Sequence, residues 1–169
     1  IDLLREASID PKVTSIKVTL YRVAANSNIC STLVNAIKNG KSVCVVVELQ
    51  ARFDEEANLY WANQLKEEGA EVIYGIPGLK VHSKLLLVTR REGDDTVNYA
   101  HIGTGNFNED TATVYCDHSL ITSDKKITSE VEKVFHFYHN NFHVGTYKQL
   151  LVSPFTMRKK FIKYISREI

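Results

Sequence analysis

The chain has 169 residues, 44% hydrophobic and 24% charged, enough to bury one sizeable core. Its 21 basic and 20 acidic residues leave a net charge of +1, which excludes a global field drawing nucleic acid or anionic membrane; any anion site must be local. No apolar run approaches the roughly 20 residues that span a bilayer. Cys30, Cys44 and Cys116 lack the CxxC spacing of zinc or redox motifs, which points to a reducing cytoplasm and three plain buried thiols.

The β-branched, alternating segment 15–23 predicts a first strand. Ile29, Leu33, Ala36 and Ile37 recur at helical spacing, and Gly40 stops that helix. Residues 42–49, apolar on both faces, fit a strand inside a parallel sheet. Asp54 reads as an N-cap, with Glu55 and Glu56 in the first turn and Leu59, Ala62 and Leu65 as the apolar stripe running to Gly69. A third strand covers 71–75, Pro77 and Gly78 reverse the chain, and residues 81–90 return antiparallel. A second reversal at 91–95 leads to a strand over 98–103, another over 115–122, and a long helix over 125–140. One more helix follows Ser153-Pro154. The expected fold is an α/β sandwich with a mixed parallel and antiparallel sheet flanked by helices. Because the chain opens on Ile1 and its last stretch still reads as helix, a piece of a longer protein is expected.

Ligands of open α/β sheets gather at the carboxyl ends of the parallel strands. Arg22 and Arg52 follow the first two strands, His82 and Lys84 open the antiparallel one, and Gly103-Thr104-Gly105-Asn106 returns to the same edge. That set suits a phosphoryl group. Imidazole is neutral and nucleophilic near pH 7, lysine is a point charge, arginine forks match phosphate oxygens, and glycine lets backbone N–H groups approach an oxyanion. The ordinary alternatives are a packing histidine and surface ion pairs of Arg22 and of Arg52 with Asp54 and Glu55. His136, His139 and His143 invite a metal reading, which the sequence argues against because no Cys or carboxylate is seen to complete their ligand set. The short basic runs at 125–126 and 158–160 read as solvated helix faces.

HxK at His82-Ser83-Lys84, followed by a glycine-rich turn ending in Asn106, resembles the phospholipase D superfamily. The fuller pattern is similar to bacterial polyphosphate kinase: TLYR at 19–22, ELQARFDEE at 48–56, GLKVHSK at 78–84 and HIGTGNFNEDTATVYCDHSLIT at 101–122. The resemblance implies a phospholipase-D-like fold, with residues 1–150 as the first carboxy-terminal catalytic domain and 151–169 as the start of the second. It implies that His82 becomes phosphohistidine by taking the γ-phosphate of ATP and passing it to polyphosphate, and that Lys84 and Asn106 line the pocket. Arg22 and Arg52 would sit at the phosphate and Mg2+ site, Mg2+ being held through the phosphates since a guanidinium cannot ligate a cation, and Tyr115 would contact the nucleotide's phosphates. Implied partners are ATP or ADP, polyphosphate, the remaining domains and further copies in an oligomer, in the cytoplasm or peripheral at the inner membrane. Two departures stand out. Thr89 replaces the aspartate that phospholipases carry seven residues after the histidine, which speaks against phosphodiester hydrolysis, and Gln50 replaces a lysine. Competing readings are a phosphodiesterase or nuclease and a non-catalytic phosphate-binding module; the fragment alone is expected to be nearly inactive. Glu109 and Asp117 are candidates to orient a histidine, and His101 and His118 have no assigned role.

Overall fold

A computed structural model describes residues 1–51 and 55–169. In chain order it runs α1 (Asp2–Ile9), β1 (Val13–Leu20), α2 (Asn28–Lys38), β2 (Ser42–Val47), α3 (Glu55–Glu67) and β3 (Glu71–Tyr74). Next come β4 (Lys84–Glu92), β5 (Asp95–Gly103), α4 (Glu109–Ala112), β6 (Ser119–Thr122), α5 (Lys125–His139) and α6 (Met157–Glu168). The Asp54 N-cap expectation lies outside the described residues. Helix α1 is an element that periodicity did not announce; its single turn-and-a-half of apolar contact, Leu4 and Ala7, is too short to stand out.

The sheet has the strand order β3-β2-β1-β4-β5-β6, parallel from β1 to β3 and antiparallel from β4 to β6, as the mixed-sheet reading requires. Because side chains alternate along a strand, the sheet feeds two cores, one on each face. Ile16, Val18, Leu20, Val45, Leu86 and Val88 meet α1, α2 and α3 on one face. Val46, Leu85, Leu87 and Ala100 meet Val131, Val134 and Phe135 of α5 on the other. The helix ends follow local chemistry: the Ser27 side chain accepts the Cys30 N–H at α2, and Asp124 accepts the Lys126 and Ile127 N–H groups at α5.

Two turns set the direction of the second half. At Ile76-Pro77-Gly78-Leu79 the Leu79 N–H donates to the Ile76 carbonyl, and Gly78 supplies the positive φ of +78° that this turn requires. At the tip of the β4–β5 hairpin, Glu92 pairs with Asp95 across Gly93 and Asp94, so the second reversal is a two-residue loop.

Two strands begin later than the sequence suggests. Strand β4 starts at Lys84, not Val81, because the His82 N–H turns back onto the Lys80 carbonyl while the Ser83 carbonyl accepts the Thr19 hydroxyl. Strand β6 starts at Ser119, not Tyr115, since residues 109–112 form the short helix α4 and the Tyr115 N–H still bonds the Thr111 carbonyl.

Candidate active site

The carboxyl ends of β1, β2 and β3, the start of β4, the end of β5 and the start of β6 lie on one edge, with Lys84 opposite Gly103 and Gly103 opposite Ser119. Several of the expected residues meet there.

His82 is exposed, and its ring stands edge-on to Tyr21 with centroids 4.7 Å apart. Lys84, two residues on, is buried at 5% exposure. The two do not share a strand face, since His82 precedes the ladder. They meet because the Lys84 ammonium reaches back, donating to the His82 carbonyl at 2.6 Å and lying 3.2 Å from Nδ1. The ammonium also sits 5.0 Å from the Tyr21 ring centroid, and the Arg22 guanidinium 5.8 Å from it. Tyr21 is therefore the common floor for the histidine and two cations, a role that its place in TLYR did not reveal.

Partial desolvation, then the charges of Lys84, Lys80 and Arg22, pull the His82 pKa below the ordinary imidazole value. Both effects favour the neutral ring, the form that carries a nucleophilic nitrogen. Burial likewise lowers the Lys84 pKa, with Asp117 pushing it back up and Arg22 reinforcing the decrease.

Asn58 and Glu48 hold this edge together. Buried Asn58 accepts from the Val23 N–H at 3.1 Å and donates to the carbonyls of Tyr21 and Glu48, both at 2.8 Å. One side chain thus fixes the loops after β1 and β2. The buried Glu48 carboxylate takes the N–H groups of Gln50 and Val81, both at 2.8 Å, tying the β2 loop to the segment that presents His82. Neither residue was singled out from the sequence. The available signal was a polar residue at a position that a helical or strand pattern would bury.

The GTGN turn is packed against two side chains. The Thr104 N–H is spent on the His118 carbonyl, and the Thr104 hydroxyl donates to Asp117 at 2.8 Å. A Cβ on Gly105 would collide with the Asp117 carboxylate, and one on Gly103 would lie 2.8 Å from the His101 ring. The glycines make room for the Asp117 and His101 side chains. Asn106 lies in this turn with its Oδ1 buried and unpartnered.

Glu109 is engaged away from His82, one oxygen accepting the Ile29 N–H at the start of α2. Asp117 acts on Lys84. His101 bonds Ser119 at 2.9 Å and packs on Phe107. Tyr115 is 67% exposed on the turn after α4. Cys116 is exposed, against the expectation of three buried thiols. Arg52 lies outside the described residues. Thr89 bonds Asn98 five residues along β4 from Lys84, about 16 Å away at strand rise.

The family model for polyphosphate kinase C-terminal domain 1 matches residues 1–144. The chain belongs to this polyphosphate kinase family. It is 55% identical over 169 residues to the polyphosphate kinase of Salmonella typhimurium, covering all of this chain and 25% of that protein. It superposes on the crystal structure of polyphosphate kinase from Porphyromonas gingivalis with a TM-score of 0.84 at 40% identity, over 98% of this chain and 28% of that one. The chain thus spans about a quarter of the length of the polyphosphate kinases it matches. A phospholipase D family member, Nuc from Salmonella typhimurium, superposes at a TM-score of 0.63 with 19% identity over 88% of this chain and 90% of that one, showing the shared fold. The expected phospholipase-D-like α/β sandwich is therefore the observed one.

Of the cofactor implied for this family, the donor set gives a clear test. Both Glu48 oxygens are committed to backbone N–H groups, and Lys84 and Arg22 make the edge cationic. Among the described residues, no trio of His, Cys, Asp or Glu ligands gathers at this edge. These side chains do not fit a protein-held Mg2+.

Proposed function

We propose that this chain carries the phosphate-accepting part of an ATP–polyphosphate phosphotransferase site, with His82 as the nucleophile. The observation that carries the reading is the imidazole of His82 set against Tyr21 and beside the cations of Lys84 and Arg22, whose charges, after partial desolvation, lower its pKa. A ring nitrogen attacks the γ-phosphorus of ATP. The N–P bond forms as the bond to the β,γ-bridging oxygen breaks, and ADP leaves with the electron pair. The terminal oxygen of a polyphosphate chain then takes the phosphoryl group, breaking N–P and forming P–O; the reverse sequence regenerates ATP.

Lys84 and Arg22, and Arg52 by the family resemblance, stabilise charge on the transferring oxygens, each charge-assisted hydrogen bond contributing about 1.5–3 kcal/mol. Asn106, which the resemblance places in the same pocket, has an Oδ1 that is buried and without a partner among the described residues. Tyr115 is exposed enough to reach a nucleotide bound across the edge. Mg2+ in this scheme travels on the phosphate oxygens that the arginines grip. We also propose that residues 151–169 open a second domain; the family match ends at residue 144, and α6 buries none of its residues.

Incubating the intact protein that contains this chain with γ-labelled ATP tests the reading. An acid-labile, alkali-stable protein label that is absent in His82→Ala supports it. Label transferred from a phosphodiester instead favours a phosphodiesterase, and phosphate-chain binding without labelling favours a binding module.

A further inference from the structure

At the opposite end of the sheet from His82, three side chains that no motif connects come together. Cys44 on β2 and Glu71 on β3 are directly paired in the parallel register, and His139 is the last residue of α5, which packs over that sheet face. The Cys44 sulfur lies 3.7 Å from His139 Nε2, and His139 Nδ1 lies 3.0 Å from Glu71 Oε1. A sulfur, an imidazole nitrogen and a carboxylate oxygen all fall within 4.8 Å of one another. The case against a metal at these histidines, that no Cys or carboxylate joins them, is overturned by strand pairing that sequence spacing does not display.

We propose that Cys44, Glu71 and His139 form a site for a zinc-class divalent cation, separate from the phosphoryl edge. A tetrahedral ion with bonds of about 2.3 Å to sulfur and about 2.0 Å to nitrogen holds those two atoms roughly 3.6 Å apart, close to what the fold already provides. A thiolate and an imidazole select borderline-soft ions and disfavour Mg2+ and Ca2+, which take oxygen donors.

Access and charge agree with the geometry. Cys44 is 4% exposed, whereas the side chains of His139 and Glu71 are 33% and 57% exposed, so the ion enters from the solvent side between Cys44 and His139 Nε2, the Glu71 carboxylate turns from Nδ1 onto it, and a water takes the fourth position. The thiolate and carboxylate neutralise the dication, and the C-terminal end of the α5 dipole favours a cation beside His139. Among the described residues, Lys17, opposite Cys44 on β1, is a neighbouring cation that acts on that thiol. The same order of groups suits a nucleophile, base and acid, but burial pushes the Cys44 thiol up to about 12 and closes it to any substrate larger than an ion. Binding replaces the thiol proton: the S–H bond breaks, the S–metal bond forms, and one proton goes to solvent.

Titrating metal-free intact protein with Co2+ reads the site directly. The expected result is a thiolate-to-cobalt charge-transfer band with the visible bands of a tetrahedral centre, displaced by Zn2+ at one equivalent and unmoved by excess Mg2+. The band should vanish in Cys44→Ala and persist in Cys116→Ser, which controls for the exposed thiol. His139→Gln and Glu71→Gln, at partly exposed positions where the fold is safe, should each weaken Zn2+ binding by at least about tenfold. Absence of the band, or a band and Zn2+ affinity indifferent to His139→Gln and Glu71→Gln, overturns the assignment.

Discussion

Asn58 offers the sharpest test of how the fold builds the phosphoryl edge. It is fully buried and makes three hydrogen bonds, to Val23 N–H, Tyr21 C=O and Glu48 C=O. In Asn58→Ala those backbone groups lose their partner in a site closed to water. At about 0.5–1.5 kcal/mol net for each bond, the expected loss is about 3 kcal/mol. For a chain of this length, about 2–4 °C per kcal/mol converts that to a Tm lower by about 6–12 °C. Asn58→Asp refines the test. One oxygen still accepts from Val23, but the other confronts two carbonyls, and the buried charge makes this variant worse than Ala at neutral pH. The introduced acid has a folded pKa raised above its unfolded value, so the variant's stability falls as pH rises and partly recovers in acid, where a protonated carboxyl can donate to one carbonyl. Guanidinium titrations at several pH values measure both effects. A loss below about 1 kcal/mol in Asn58→Ala, or a pH-independent deficit in Asn58→Asp, refutes the claim that this side chain ties the two loops.

Three further outcomes follow from the geometry. Gly105→Ala drives a Cβ into the Asp117 carboxylate, costing about 1–3 kcal/mol by overpacking, and a crystal structure of the variant should find Asp117 displaced from Thr104. The His82 imidazole should titrate below its ordinary value by NMR, and Lys84→Met should move it upward by removing a cation; labelling by ATP should fail on the acid side as pH falls through the folded value and the ring protonates. At Glu130, burial pushes the pKa up, but the N–H groups of Leu150, Lys148 and Gln149 outweigh it and leave the value lowered. That tie is present above the unfolded carboxylate pKa and is lost as pH falls through the folded one. Glu130→Ala should speed hydrogen exchange at residues 148–150 at neutral pH, and unchanged exchange would show that the tie is not made.

Position along the chain decided how much could be read early. Alternation and helical spacing place β1, α2, β2, α3 and the reversal at Pro77-Gly78, because each is a local pattern with a period of its own. The strand starts were harder. The beginnings of β4 and β6 depend on Thr19 capturing the Ser83 carbonyl and on α4 holding Tyr115, contacts made by residues distant in sequence or outside any apolar period. The GTGN glycines are visible as glycines, but whether their missing Cβ atoms serve a ligand or Asp117 depends on what packs there.

By itself the sequence determined the order of the six strands and of α2, α3, α5 and α6, the family and the histidine-lysine pair at one sheet edge, since motif spacing and side-chain periodicity are properties of a linear chain. Tertiary structure alone decided that Tyr21 is the floor shared by His82, Lys84 and Arg22, that Asn58 and Glu48 brace the loops, and that Cys44, Glu71 and His139 meet. The physical reason is strand register: it sets residues about 4.8 Å apart that lie tens of positions apart in the chain, and no local period encodes it.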